Sequence, residues 1–290
     1  MSVTGTTGFR ADTAAGSIGA RWAAPAEEST APIIVAIHGG GSDSSYYDLP
    51  GASLLQRAAM VGVGVWAPDR PGYGESATVQ ATTIEEAAAV VGEAITAAAH
   101  ALFGGRPVVL LGHSIGAVVA SAIAADTAIT LPVVGLSISG LGPRVDEKGL
   151  AMAAALPPQG TVEPPPAPVL RGMLFGRDGT FTQEAFESFA AAAKPLSVSD
   201  PRQVNRWPEL GPVLAASISA PVQILAGAED GVWPLDEAGL AEMASWFSTA
   251  PFRDVRLIPG AGHAADHHRV GDAIRLRQLA FAIECGEALR

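Results

Sequence analysis

Short runs dominated by aliphatic residues recur along the chain, at residues 33–37, 64–67, 107–111, 133–138, 222–226 and 255–258. Their length and their Val and Ile content predict strands, and the near absence of polar alternation means that both faces of each strand are covered. Glycine-rich turns follow them, and then alanine-rich stretches of helical character at 53–60, 83–102, 116–125, 236–247 and 270–289. This alternation is the pattern of βαβ units and predicts an α/β fold built on a mostly parallel, doubly wound sheet. Thr83, followed three residues later by Glu86, predicts a capping box at the start of the second helix. The segments around Phe9 and at 19–23 predict an antiparallel hairpin at one edge.

The pattern breaks between residues 141 and 219, where no clean strand is expected and Pro157, Pro158 and the run 164–166 interrupt the chain. Met152, Leu170, Met173, Phe175, Phe181, Phe186, Phe189 and Trp207 are spaced there as short amphipathic helices. The expected organisation is a core formed by 1–140 and 220–290, with 141–219 inserted after the sixth strand. A lid over a site and a small helical unit packing its own core are both consistent with such an insertion. No internal repeat is visible, and the alanine runs at 87–89, 97–99 and 190–193 are good helix formers.

A length of 290 residues, 48% hydrophobic and 16% charged, suits a folded enzyme and excludes disorder over most of the chain. Subtracting 29 acidic from 18 basic side chains leaves −11, which repels phosphodiester backbones and anionic membranes. A small-molecule substrate is therefore expected rather than nucleic acid or a membrane, while charge says nothing about oligomeric state. The single cysteine, Cys285, can form no internal disulfide and no Cys pair exists to hold zinc. Residues 1–16 carry no basic region followed by an apolar run, so the expected location is cytoplasmic. The uncharged stretch 107–125 has the length of a membrane span, but Gly112, His113, Ser114 and Gly116 divide it into a buried strand, a turn and a buried helix.

That turn carries the chemistry. Gly112-His113-Ser114-Ile115-Gly116 has the G-x-S-x-G form, between a strand and a helix, that a nucleophile elbow requires. A turn this tight strains the central residue, and a Cβ at either glycine would collide with the neighbouring strand or helix. Ser114 is thereby lifted above the sheet edge, with the N–H groups of the next helix aimed at developing negative charge. His113 is expected to point away into packing. A serine hydroxyl needs a base, and the base needs an orienter. Both occur downstream: Asp230 in the acidic loop after the strand at 222–226, and His263 in the glycine-rich loop after 255–258.

With the order Ser, acid, His, the chain resembles a serine-dependent α/β-hydrolase of the esterase and lipase kind, over nearly its whole length except the insertion. Ile37-His38-Gly39-Gly40-Gly41 resembles that family's HG-type oxyanion loop, and Asp69-Arg70-Pro71-Gly72-Tyr73-Gly74-Glu75-Ser76 resembles its D-x-P-G-x-G-x-S segment. The resemblance implies Ser114 as nucleophile, His263 as general base and acid, and Asp230 as its orienter. The implied oxyanion donors are the N–H groups of Ile115 and Gly40, with Gly39 or Gly41 as neighbouring alternatives. Glu229 and, more remotely, Asp146 compete with Asp230. His267 and His268, on or before the last helix, compete with His263 and are expected to be solvent-exposed or to cap that helix. His263, Asp266, His267 and His268 partly resemble a binuclear zinc pattern, but Ala265 replaces its middle histidine and no second cluster exists; no metal or other cofactor is expected. Gly39-Gly40-Gly41-Ser42 lacks the Lys of a phosphate loop. The polar run 42–47 either lines an entrance or is solvated.

A serine at the elbow, where relatives that act on haloalkanes and epoxides use aspartate, implies acyl transfer to water through an acyl-enzyme. The expected substrate is a carboxylic ester, thioester or lactone, with an apolar group beneath the insertion. A cofactor-free carbon–carbon hydrolase or a perhydrolase shares the same triad, and a non-catalytic receptor shares the fold.

Overall fold

The computed structural model describes residues 5–288; Leu289, at the end of the expected last helix, and the first four residues of the segment 1–16 lie outside the described residues. A hairpin of β1 (Thr7–Thr13) and β2 (Gly16–Ala23) opens the chain, and β3 (Ile33–Ile37), α1 (Leu54–Met60), β4 (Val65–Pro68) and α2 (Ile84–Ala98) follow. Next come β5 (Val108–His113), α3 (Ile115–Ala125) and β6 (Val133–Ser139). The insertion holds α4 (Glu147–Ala155), β7 (Thr161–Val162), α5 (Ala167–Leu174), α6 (Gln183–Ala192), β8 (Leu196–Ser197), α7 (Ser199–Val204) and α8 (Trp207–Ala215). The chain ends in β9 (Val222–Gly227), α9 (Glu237–Trp246), β10 (Arg253–Ile258) and α10 (Gly271–Glu287).

Eight strands form one sheet in the order β1-β2-β4-β3-β5-β6-β9-β10. Every pair from β4 to β10 is parallel, and the hairpin joins antiparallel through β2 at the β4 edge. The strands predicted from aliphatic runs are the strands observed, because all residues of β3, β4, β5 and β9 are buried from both sides. On one face Trp66, Phe103, Val91, Ile95, Val118 and Trp207 pack in a core covered by α2, α3, α8 and α9. On the other, Leu54, Leu55, Leu279, Phe281 and Cys285 from α1 and α10 close over Ile34, Ala36, Val65 and Val109. The segment 84–103 is apolar and long enough to cross a membrane, but half of it is buried in the first of these cores. Its expected single helix ends earlier, at Ala98, and finishes in a wider turn closed by Gly104 at φ 59°, which drops Phe103 between Trp22 and Trp66.

Parallel registry places the carboxyl ends side by side. Ile37 lies opposite Gly112, His113 opposite Ser139, Ser139 opposite Leu225, and Gly227 opposite Ile258. Loops leaving β3, β5, β9 and β10 therefore emerge along one rim, where Leu174, Leu196 and Asp200 touch them. Within 141–219 two strands do form, where none was expected, as a two-residue antiparallel ribbon pairing Thr161 with Ser197 and Val162 with Leu196. Two residues are too few to leave a hydrophobic pattern. Phe175, Phe181 and Phe186 form a separate cluster with Ala264, whereas Trp207 and Ala215 of α8 join the main core.

The capping box is present: the Thr83 hydroxyl accepts from Glu86 N–H, and the Glu86 carboxylate accepts from Thr83 N–H. Thr83→Ala is expected to cost about 1 kcal/mol, measured as a lowered urea midpoint with an unchanged slope; an unaltered midpoint would contradict this account of the start of α2.

Candidate active site

Ser114 caps α3 with φ 54° and ψ −128°, and among the described residues it is the only non-glycine at positive φ. Such an angle is costly for an L-residue and persists only where the surroundings impose it. Here they do. A Cβ on Gly112 would lie 2.5 Å from Ala117 Cα, and one on Gly116 would overlap the carbonyls of Ile37 and His38. Ser114 N–H donates to Ser139 O at 2.9 Å, tying the turn to β6. The hydroxyl is half-buried and makes no hydrogen bond to any described residue.

The structure brings Asp230 and His263 together. His263 Nδ1 lies 2.9 Å from Asp230 Oδ2, both buried, while Asp230 Oδ1 accepts the N–H groups of Val232 at 2.8 Å and Trp233 at 2.9 Å. A carboxylate bound this way holds the proton on Nδ1 and leaves Nε2 as the free face of the ring. The imidazole packs at 4.8 Å from the ring of His113, the residue before Ser114. Gly140, at φ 65°, passes so close that a Cβ there would be 3.1 Å from His263 Cε1. No hydrogen bond joins Ser114 to the imidazole here, and such bonds commonly tighten only around substrate.

The competitors are otherwise engaged. Glu229 pairs with Arg177 at 2.7 Å on the surface, and Asp146 caps α4 through Gly149 N–H. His267 and His268 depart from expectation, since both are buried rather than exposed. His267 packs its ring against Tyr46 and Phe189, and His268 stacks on Phe175 and accepts Gly262 N–H at 3.2 Å. Phenylalanines of the insertion cover both, a contact no local pattern could reveal. Burial, aided by the charge of Arg275, lowers the His267 pKa to about 3; burial likewise lowers that of His268. The run 42–47 is also largely buried: Tyr46 stacks on His113 at 4.9 Å and donates to Asp266 at 3.2 Å, and Tyr47 donates to Ile37 O. Among the described residues no group of three or more His, Cys, Asp and Glu is arranged to hold a metal ion.

Beside Ser114 runs the glycine loop. A Cβ on Gly39 would lie 3.3 Å from Ser114 Cβ, while Gly40 faces Leu196 and Asp200 of the insertion. Gly41 N–H is directed to Tyr73 Oη at 3.4 Å, whereas the N–H groups of Gly40 and Ile115 donate to no described residue. Three residues to which the sequence assigns no role surround this loop. Arg70 and Asp200 form a buried ion pair at 2.6 Å, and Tyr73 donates to the same carboxylate at 2.7 Å. Burial pulls the Arg70 pKa down, but the Asp200 carboxylate more than offsets this and the net shift is upward; burial and Asp200 together push Tyr73 up to about 12. Arg70 and Tyr73 sat inside a quoted motif, but Asp200 lay in the insertion with no motif around it.

The alpha/beta hydrolase family model matches residues 34–274. The chain belongs to this family. No curated protein sequence matches it. Among solved structures, a thermostable carboxyl esterase from Bacillus coagulans superposes with a TM-score of 0.74 at 18% identity, covering 98% of this chain and 99% of that one. An esterase from Thermogutta terrifontis does so at 0.66 with 21% identity over 95% and 99%, and a thioesterase domain from the curacin biosynthetic pathway at 0.64 with 17% identity over 95% and 100%.

A cavity of about 730 Å³ lies between the hydrolase's core and the segment 141–219. It reaches the elbow at Ile115 and extends past Val119 and the first turn of α2 to residues 158–161 and 197–203. Ser114 and His263 do not themselves line it.

Buried neutral histidines make the fold sensitive to acid. Burial, with Arg70, lowers His38 to about 3, and burial with the neighbouring imidazoles depresses His113. Their pKa values are depressed in the folded state, so below the usual value near 6.5 the unfolded chain binds more protons and stability falls with pH. Asp266, pushed up by burial, acts in the opposite sense as pH falls through its folded value. Between pH 7 and pH 5, His38 and His267, each lowered to about 3, should cost about 2 kcal/mol apiece. His267→Phe keeps a ring between Tyr46 and Phe189 and should remove about that much of the loss, read from urea unfolding at the two pH values; an unchanged loss would refute the buried-neutral assignment.

Proposed function

We propose that this protein is a serine hydrolase that cleaves a carboxylic ester, with thioesters and lactones of the same chemistry, through an acyl-enzyme. The observation that carries the reading is a serine at φ 54° at the head of a helix, on the same sheet rim as a buried Asp–His pair at 2.9 Å. In the proposed reaction Ser114 Oγ attacks the carbonyl carbon as its proton passes to His263 Nε2. The N–H groups of Ile115 and Gly40 receive the oxyanion, and Asp230 stabilises the imidazolium through Nδ1. Collapse of the tetrahedral intermediate breaks the ester C–O bond, and His263 gives its proton to the leaving alcohol. Water, deprotonated by the same nitrogen, then attacks the acyl-enzyme and releases the acid and the free serine.

The resemblance in shape to a carboxyl esterase, an esterase and a thioesterase supports acyl transfer as the chemistry. The substrate is a small molecule. The cavity that meets Ile115 mixes Val79, Ile84 and Val119 with Gln80, Thr82 and Gln203. An ester with both apolar and hydrogen-bonding parts fits this lining better than a wholly apolar one, since Phe175, Phe181 and Phe186 of the insertion pack on one another instead.

Wild-type protein should hydrolyse p-nitrophenyl butyrate, and a fluorophosphonate should label the peptide that contains Ser114. Ser114→Ala should abolish labelling and lower kcat by at least about 10³-fold, and Asp230→Asn by roughly 10⁴-fold. Hydrolysis that persists unchanged in Ser114→Ala would overturn the reading.

A further inference from the structure

We infer that Asp200, a residue of the insertion, positions the oxyanion donor of the rim, acting through Arg70 on the peptide between Gly39 and Gly40. This rests on the serine-hydrolase reading above and adds to it a residue outside the triad and the glycine loop.

Arg70 spreads its donors over two successive carbonyls. Nε donates to His38 O at 2.9 Å, and one terminal nitrogen donates to Gly39 O at 3.1 Å and to Asp200 at 2.6 Å. Gly39 O also receives His38 Nδ1–H at 2.8 Å, a tautomer fixed by His38 Nε2 accepting Arg70 N–H at 2.9 Å. A trans peptide is planar, with its C=O and N–H on opposite sides. Holding Gly39 O against the guanidinium therefore turns the N–H of Gly40 the other way, and that N–H has no acceptor among the described residues. Gly41 N–H is taken by Tyr73 Oη, which also accepts Ser197 N–H at 3.0 Å. Among the three glycines this leaves Gly39 or Gly40 to serve an oxyanion; Arg70 pins the peptide of each from behind, through His38 O and Gly39 O, and the nitrogen that holds Gly39 O, behind the Gly40 N–H, is the one that Asp200 holds at 2.6 Å.

The guanidinium is buried, with an exposure of 3%, and a lone charge there would be costly without a counter-charge. Asp200 supplies it from α7 of the insertion. Other insertion contacts lack this geometry. Lys194 pairs with Asp43 at 3.1 Å and ties the insertion to the same neighbourhood, but its ammonium touches neither His38 O nor Gly39 O. Asp200 is therefore a positioning residue, and the Lys194 pair provides a control for loosening the insertion alone.

The test uses the full-length protein and first establishes that a fluorophosphonate labels Ser114 in the wild type; absence of labelling would sink the serine-hydrolase reading and this inference with it. In labelled protein, Asp200→Asn keeps the shape and removes the charge. Its kcat on p-nitrophenyl butyrate should fall roughly 10- to 100-fold with KM within about threefold. Affinity for an aryl trifluoromethyl ketone, captured by the serine as an anionic hemiketal, should fall in proportion to kcat/KM. Lys194→Ala should leave kcat within about twofold of the wild type. Arg70→Lys keeps a positive charge beside Asp200 but cannot reach both carbonyls, and should reproduce the kcat loss even where Asp200→Asn fails to fold. Normal Ser114 labelling with kcat and ketone affinity within about twofold of wild type in Asp200→Asn or Arg70→Lys would overturn the inference alone, as would an equal loss in Lys194→Ala.

Discussion

One backbone angle organises this molecule. The φ of 54° at Ser114 is unfavourable on its own, and the fold holds it from three directions. Glycine on either side lets α3 pack directly on β5 and on the end of β3, where any side chain would collide with backbone. The hydrogen bond from Ser114 N–H to Ser139 fixes the turn to β6. Registry between parallel strands then sets the positions of β9 and β10, and so of the loops bearing Asp230 and His263. Local strain at one residue is thus balanced by the cooperative pairing of the central sheet, a common arrangement at sites that need a prearranged geometry.

Besides the packing of α8 on the main core, two attachments of the insertion lie beside different parts of the rim. Near Leu174, its carbonyl accepts Ala264 N–H at 2.9 Å, and Thr180 O accepts Arg269 N–H at 2.8 Å, so the segment that carries His263 is gripped on both sides. Farther along the chain, Lys194 N–H donates to Gly41 O, and Asp200 meets Arg70 and Tyr73. Between these attachments stand the buried histidines and the aromatic phenylalanine cluster, while the cavity opens on the side of α2.

Much of this was legible in the sequence because it is local. Strands buried on both faces announce themselves as aliphatic runs, the cap of α2 as Thr83 and Glu86, and the elbow as a glycine–serine–glycine spacing with strand and helix in place. Asp230 and His263 were legible as the loops that follow particular strands. What could not be read depends on long-range packing. His267 and His268 look polar and exposed until Phe189 and Phe175, 78 and 93 positions earlier in sequence, are laid over them. The run at 42–47 looks solvated until Tyr46 is found stacked on His113. Asp200 carries no motif, and its partner Arg70 is visible only as a member of one.

The closeness of the glycines to the insertion has a further meaning. Gly231 and Gly262 admit Met173, Leu174 and Phe175 carbonyls at distances where a methyl group would collide, so core loops and insertion were shaped against each other at the level of backbone. The two parts are not modular. A chimera that grafts a relative's helical segment onto this sheet would inherit mismatched seams wherever these backbones meet.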